Sequence, residues 1–519
     1  MAGARVKRLT LAAAVLGSGI AFLDGTVVNV ALPAIRDDLD TGLAAQQWVV
    51  EAYLLTLSAL LLVGGSLGDL LGRRRIFVVG LVGFAATSLL CALAPNAIAL
   101  IAARTVQGAA GALLVPASLA LITATFPRDE RGAAIGTWTA WTGVAFVIGP
   151  LGGGAIVDLV SWRWIFAINV PLVALALALV RAGVQESWDE RAAREIDYLG
   201  ALLASLGLAG PVFGLIEQQA YGWGHPLVYL PLALGAALLV AFVIHERRTP
   251  HPMLPLGLFS SRNFAVGNAS TLGIYGGLGA ATFFTTIYLQ QVSGYTPVEA
   301  GLALLPITVI MLALSRRFGA LSTRVGPRWL MGVGPIVAGV GLIWMGRLGA
   351  EVDYVADLLP GVVTFGLGLS MTVAPLTDTV LSSVPEHNAG VASGVNNQLA
   401  RVATLLAIAV VGVVVATRFD TVLDERAASL SPAQRARVAS AEPLAGAVRG
   451  GEVANRPVEA ASVSGFRAGM AVGGGLVIVG GVLSLVGIAN PPRGRGDRGP
   501  APRRRVGRRG AASTPASAI

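Results

Sequence analysis

The chain has 519 residues, of which 54% are hydrophobic and 13% charged, with 38 basic against 29 acidic side chains and a mean hydropathy of +0.71. Soluble globular proteins carry about 25% charged residues, so this chain has too little charge to coat a water-facing surface of its size. A soluble enzyme, a disulfide scaffold (Cys91 is the single cysteine) and a disordered chain are thereby excluded. The 66 glycines fit membrane helices, where small residues let backbones approach closely. Apolar runs of about 20 residues fit spanning helices and not the ten-residue alternation of a membrane barrel. The class is an all-α polytopic membrane protein.

In chain order, runs of spanning length fall at 9–32, 47–69, 75–95, 97–122, 132–156, 162–182, 198–216, 226–245, 263–288, 298–315, 329–347, 356–383, 389–417 and 466–488. These are fourteen segments, the seventh and eighth being short. Arg5, Lys7 and Arg8 precede the first run, which is longer than the 7–15 residues of a signal-peptide core and reads as a retained helix. A segment from about 418 to 465 mixes Asp, Glu, Arg and Ala; it reads as a linker or a lid, the linker being the simpler. The stretch 491–519 is rich in Pro, Gly and Arg and is expected to be disordered.

With fourteen crossings both termini share a side. Placing them inside puts most arginines in inside segments, including Arg73 to Arg75, Arg316, Arg317, Arg324 and Arg328. The short outside loops then keep only Arg36, Arg163 and Arg347. By the positive-inside rule both termini are cytoplasmic. The basic charge is thus explained by topology, and nucleic acid is not an expected partner.

Two loops resemble each other. GSLGDLLGRRRIF (Gly65 to Phe77) joins segments 2 and 3, and GALSTRVGPRWL (Gly319 to Leu330) joins segments 10 and 11. They lie eight segments apart, which a duplicated six-helix unit explains if two helices are inserted between the halves, 6+2+6. Internal repeats of this kind are the usual build of secondary transporters. The expected division is 1–183 for the first bundle, 184–262 for the inserted pair, 263–490 for the second bundle and 491–519 for the tail.

The chain resembles the major facilitator superfamily, in its fourteen-helix drug:proton antiporter branch. LDGTVVNVALP (Leu23 to Pro33) is similar to the branch's helix 1 signature. Gly65, Leu67, Gly68, Asp69, Gly72, Arg73 and Arg74 match the loop 2–3 motif. RTVQGAAGA (Arg104 to Ala112) resembles the helix 4 motif, GPLGGG (Gly149 to Gly154) the helix 5 antiporter motif, and WRWIFAINVP (Trp162 to Pro171) the start of helix 6. Three positions depart from the pattern: Leu70 stands where a basic residue is usual, Thr323 replaces the acid of the second loop, and Ala145 a frequent glycine.

Asp24 lies inside the first apolar run. A carboxylate there is costly and faces a cavity, finds a partner or takes up a proton. Glu51 and Arg104 fall at similar depth, so the three are expected to share one network for protons or cationic substrate. Asp378, nearer the inner side, is a candidate second acid, for which Arg401 is not level. Asn29, Gln107, Asn396, Asn397 and Gln398 read as packing contacts. The resemblance implies that Asp69 latches the inner side. It also implies that Gly149, Pro150, Gly152 and Gly153, with Gly154, shape the seam between the halves through a proline kink and close contact. His225, His245, His251 and His387 are dispersed, and there is no phosphate loop, so neither cofactor nor metal is expected and ATP does not power this chain.

The expected function is proton-coupled efflux of small amphipathic or cationic compounds by alternating access, not an enzymatic reaction, from the inner (cytoplasmic) membrane. Membrane lipids, protons and a small-molecule substrate are the expected partners of a monomer. A dedicated exporter of one natural product is the near alternative, since arginine-for-lysine bias and Ala/Gly richness suggest a GC-rich bacterial genome. A proton-linked importer is disfavoured by GPLGGG, and a non-transporting sensor by the intramembrane acids.

Overall fold

A computed structural model of the chain describes residues 2–188, 197–250, 252–385, 389–428, 430–438, 441–444 and 452–490. Among them the regular structure is all helix, the form in which an apolar segment satisfies its own backbone hydrogen bonds away from water. The helices are α1 (Ala2–Leu39), α2 (Leu43–Leu71), α3 (Arg73–Ala92), α4 (Ala97–Thr125), α5 (Arg128–Leu159), the short α6 (Trp164–Ala167), α7 (Asn169–Gly183), α8 (Tyr198–Tyr221), α9 (Pro226–Arg248), α10 (Arg262–Gln291), α11 (Pro297–Val325), α12 (Pro327–Met345), α13 (Leu359–Ser382), α14 (Ala389–Ala427), the short α15 (Pro432–Val438) and α16 (Glu452–Gly487). Twelve spans are long and apolar enough to cross a membrane among the described residues. There are thirteen when the bent pair Leu43–Leu61 and Val63–Leu71 counts as one. α5 enters that comparison only through its apolar piece Ile148–Leu159.

Both helices that flank the expected long loop run far past their expected bounds. α14 continues to Ala427 and α16 begins at Glu452. At about 1.5 Å per residue, the 39 residues of α14 exceed the roughly 30 Å of a bilayer's hydrocarbon core. Much of the segment expected to be a loop at 418–465 is therefore helix standing clear of the membrane. It carries a small core of its own, Phe419, Val422, Leu423, Val438, Val458 and Ala461. The basic tail at 491–519 lies outside the described residues, as do His251, His387, Arg191 and Arg194.

Packing separates the helices into neighbours. α1 to α7 pack among themselves, α10 to α16 do likewise, and α8 and α9 form a pair whose α8 lies against both α2 and α14. One end of the molecule bears the long segment between α14 and α16 and is called the long-loop face; the opposite end is the Arg-rich face. Among the described residues, the hydrogen bonds joining the two groups lie toward the long-loop face. Arg36 Nη1 donates to Gln291 Oε1 at 2.7 Å, Gln290 Nε2 to the Val30 carbonyl at 3.1 Å, and the Val298 amide to Asp158 Oδ2 at 3.2 Å. Gln47 Nε2 donates to the Ile408 carbonyl at 3.1 Å, and Gln398 to the Ser58 carbonyl halfway along α2. This state is closed on the long-loop face.

The loop repeat is repeated in space. Gly72 between α2 and α3 has φ +108°, and Gly326 between α11 and α12 has φ +90°. A side chain is strained in that region, which glycine enters freely. Glu186, just past α7, accepts from the amides of Arg74 (2.9 Å) and Arg75 (3.2 Å) at the start of α3. Asn490, just past α16, accepts from the Arg328 amide (3.1 Å) at the start of α12. Each group thus ties the end of its last helix to the first turn that follows its glycine.

Candidate functional site

Asp24 and Arg104 meet at the centre of the first group. The Asp24 side chain is 0% exposed and Arg104 1%. Arg104 Nη1 donates to Asp24 Oδ2 and, at 2.7 Å, to Gln107 Oε1, while Arg104 Nε donates to the Val49 carbonyl at 3.0 Å. The guanidinium lies 4.2 Å from the centre of the Tyr53 ring. A cation over an aromatic face gains further attraction where water is excluded. Asp24 Oδ1 accepts from Gln107 Nε2 and Asn169 Nδ2, each at 3.1 Å. Those two amides also donate to Ser88 Oγ, at 2.8 and 3.2 Å. The side chains of the cluster therefore come from α1, α4 and α7, with Ser88 of α3 behind the two amides.

Such a cluster is stable only because the guanidinium and both carboxylate oxygens find partners, while Asn169 Oδ1 stays buried without one. Removing one member of a buried ion pair costs about 3–5 kcal/mol, since the other charge is left desolvated. Gln107, which the sequence pattern assigned to packing, bonds both members of the pair. It shares the motif RTVQGAAGA with Arg104 and sits three residues on, on the same helix face. Asn169 stands in WRWIFAINVP; the break between α6 and α7 brings it in. Ser88 and Tyr53 carry no motif signal and were missed; only tertiary packing places them.

Glu51 does not join this network. It lies on the opposite face of α2, fully buried, with neither carboxyl oxygen hydrogen-bonded. The helical period explains the error: equal depth does not mean equal azimuth, and Val49 and Tyr53 occupy the face turned to Arg104. Asp378 is exposed near the Arg-rich end of α13, with no ion-pair partner among the described residues. Arg401 is half-buried, 5.4 Å from the Phe22 ring centre, and the two are not paired.

The loop motif forms a tight unit. Asp69 accepts from Arg73 Nε at 2.8 Å and pairs with its Nη2 at 2.7 Å. Its partner, the first residue of α3, thus belongs to the same motif and joins the end of α2 to the start of α3. In the α5 motif the glycines divide between two contacts. A Cβ on Gly149 or Gly153 would strike Thr26 or Val27 of α1. One on Gly154 would meet the Pro297 carbonyl and Val298 of α11 at 2.8 Å. Gly301 of α11 returns the contact against Pro150, and Gly152 faces no neighbour outside its own helix. The helix runs on through Pro150, and the seam is built by backbone proximity. Among the described residues no cluster of His, Cys, Asp and Glu suits a metal ion.

The family model of the Major Facilitator Superfamily matches residues 14–408. The chain is 34% identical to the tetracenomycin C resistance and export protein of Streptomyces glaucescens, over 92% of this chain and 90% of that one. It is 38% identical to the puromycin resistance protein of Streptomyces alboniger, over 76% and 78%. It is 36% identical to the multidrug resistance protein Stp of Mycobacterium tuberculosis, over 83% and 80%. Among solved structures, a bacterial homologue of the lysosomal transporter Spinster, inward-facing and unoccupied, superimposes with TM-score 0.65 at 17% identity, covering 93% of this chain and 97% of that one.

Proposed function

Because the chain belongs to the Major Facilitator Superfamily, we propose that it is a proton-coupled exporter of small amphipathic or cationic compounds that works by alternating access. It is a multi-pass membrane transporter. The two helix groups act as six-helix bundles, 1–183 and 263–490, with 184–262 as the inserted pair. The Arg-rich face is cytoplasmic, as the positive-inside rule requires, and both termini lie there. The state described above is then closed to the outside.

The observation that carries the reading is the buried Asp24–Arg104 pair with its full set of partners. Asp24 is the one acid in that cluster, and a proton on it removes a charge from the centre of the first bundle. Arg104 keeps Val49, Gln107 and the Tyr53 ring when this happens, so the cation stays solvated by the protein. Its attraction for Asp24 is lost, and α1 is held to α4 there by the weaker Gln107 bond alone. A conformational change follows from that loss of one interaction. Deprotonation restores the clamp, which makes the cluster a means of coupling proton movement to the exchange of faces. Asp378, exposed in this state, is the acid that a cationic substrate entering from the cytoplasm would meet. Asp69 with Arg73 closes the loop between α2 and α3 and acts as the latch of the inner side.

Energised efflux of a cationic dye, from cells making wild type or Asp24→Asn at equal expression, tests this with and without a protonophore. Export by wild type that is abolished by both the substitution and the protonophore is the expected result. Export surviving in Asp24→Asn but not the protonophore would remove Asp24 from the coupling step. The antibiotic-specific names of two relatives favour a second reading, a dedicated exporter of one natural product. Wild type that moves no dye yet protects cells against a single antibiotic would select it.

A further inference from the structure

Glu51 lies at a junction of three helices that the Asp24 cluster does not use. It follows Gln47 by four residues and Trp48 by three, so it stands between them on one face of α2. Gln219 of α8 donates to Gln47 Oε1 at 2.7 Å, and Gln47 donates onward to the Ile408 carbonyl of α14. Trp48 Nε1 donates to Glu217 of α8 at 2.9 Å. Around these bonds pack Leu54 and Leu55 of α2, Val212 and Ile216 of α8, and Leu405 and Ala409 of α14. Glu51 is therefore enclosed by α2 from the first bundle, α8 from the inserted pair and α14 from the second bundle. Both of its carboxyl oxygens are buried without a partner, as are Ser58 Oγ and Gln398 Oε1 farther along the same seam.

A desolvated carboxylate with no counter-charge costs several kcal/mol, so this junction accepts the uncharged acid and rejects the ion. Of the charged side chains on these helices, Asp69 of α2 and Arg418, Asp420, Asp424, Glu425 and Arg426 of α14 lie more than two turns along the helix from the junction, which leaves Glu217 and Arg401. Glu217 is engaged by Trp48. Arg401 lies one helical turn from Leu405 toward the middle of the membrane and has no carboxylate partner among the described residues. The Asp24–Arg104 pair is behind α2, on its other face. When α2 and α14 part, Glu51 meets water or Arg401, and either one favours the ion.

We infer that Glu51 is a second proton site, which holds its proton while the long-loop face is closed and releases it to that same side when the face opens. The proton taken up on closing returns to the side it came from, so it gates the cycle and is not cargo. The inserted pair is then part of the gate, because α8 supplies one wall of the site. This rests on the alternating-access reading. Its test follows conformation and not transport, so its failure is separable from that of the efflux assay.

The test uses the full chain in lipid nanodiscs, with Cys91→Ala and a cysteine pair at Asp158→Cys and Val298→Cys across the long-loop seam. Reaction with a short bifunctional thiol reagent reports closure, its rate taken at each pH relative to that of the two single-cysteine proteins so that the rise of thiolate with pH cancels. In the parent, the rate is expected to fall about fivefold or more between about pH 5 and about pH 8. With Glu51→Gln added it should stay high and flat, and with Asp24→Asn added the fall should remain. A flat parent, or a Glu51→Gln protein that keeps the parent's fall, overturns the inference. If Glu51→Gln does not assemble, Glu51→Leu, which suits the apolar surroundings, carries the same expectation and the same refutation.

Discussion

At the residue scale, Asn169 separates the contacts that hold Asp24 from those that charge it. Its amide donates to Asp24 and to Ser88 while carrying no charge itself. Hydrogen bonds to charged groups contribute about 1.5–3 kcal/mol, so Asn169→Ala should lower the unfolding free energy of the purified protein by about 2 kcal/mol. Thermal unfolding in detergent checks this, and an unchanged melting temperature would show that Gln107 suffices alone. Arg104→Lys is not a mild change either. An ammonium cannot reproduce the fork that bonds Val49, Gln107 and Asp24 together. The charges of this cluster were legible in the sequence because an acid and an arginine inside apolar runs are costly unless paired. Ser88 and Tyr53 were not, because a serine and a tyrosine are ordinary in a membrane helix until a neighbour gives them a task.

At the scale of elements, the two glycine turns carry the clearest consequence. Gly72→Ala places a side chain at φ +108°, with its Cβ 2.9 Å from the Glu186 carboxyl. The strain of the left-handed region is about 1–2 kcal/mol, and the loss of the Glu186 cap on α3 adds to it. Thermal unfolding should show a larger loss for Gly72→Ala than for Gly68→Ala, where a Cβ meets nothing within 4 Å. Equal losses would mean that the turn conformation is not what matters. The repeat between the loops was visible in sequence through Gly-x-Leu and the arginines. The parallel use of Glu186 and Asn490 was not, because each lies more than a hundred residues from the helix start it caps and the two differ in chemistry. The break after Ala167 was hidden for another reason: WRWIFAINVP has no glycine, and its proline, Pro171, comes only after the break, so nothing marks where the helix ends.

At the scale of the whole molecule, the segment between α14 and α16 reaches across the long-loop face. The Glu442 carboxyl packs over the α1–α2 turn, where a Cβ on Gly42 would meet it at 2.5–2.8 Å. Leu444 is fully buried in the main core with α1 and α2 side chains such as Val27 and Val49. Burial, aided by Asp40, raises the Glu442 pKa above its ordinary value of 4.5, while Arg36 opposes the shift. The docked segment therefore binds the proton more tightly than the free one. Docking is strongest below about pH 4.5 and weakens as pH rises through the raised value. Hydrogen exchange of residues 432–444 should be slower in acid than the intrinsic rate change explains, and Glu442→Gln should remove that excess protection. Identical excess protection in Glu442→Gln would assign the effect to another group. The described part of the segment thus packs against α1 and α2, where the sequence pattern favoured a plain linker.

The sequence by itself determined the membrane class, the helical form, the repeat and the family, and it located Asp24 and Arg104. These follow from one-dimensional quantities: apolar run length, the cost of intramembrane charge and ordered motifs. Only the tertiary structure decided which groups at equal depth face one another, since a helix turns its side chains through a full circle every 3.6 residues. That is why Glu51 parted from Asp24 and joined α8 and α14 instead. The state of the molecule, closed on the long-loop face, was likewise beyond the sequence, because the same residues must serve both states of a transporter.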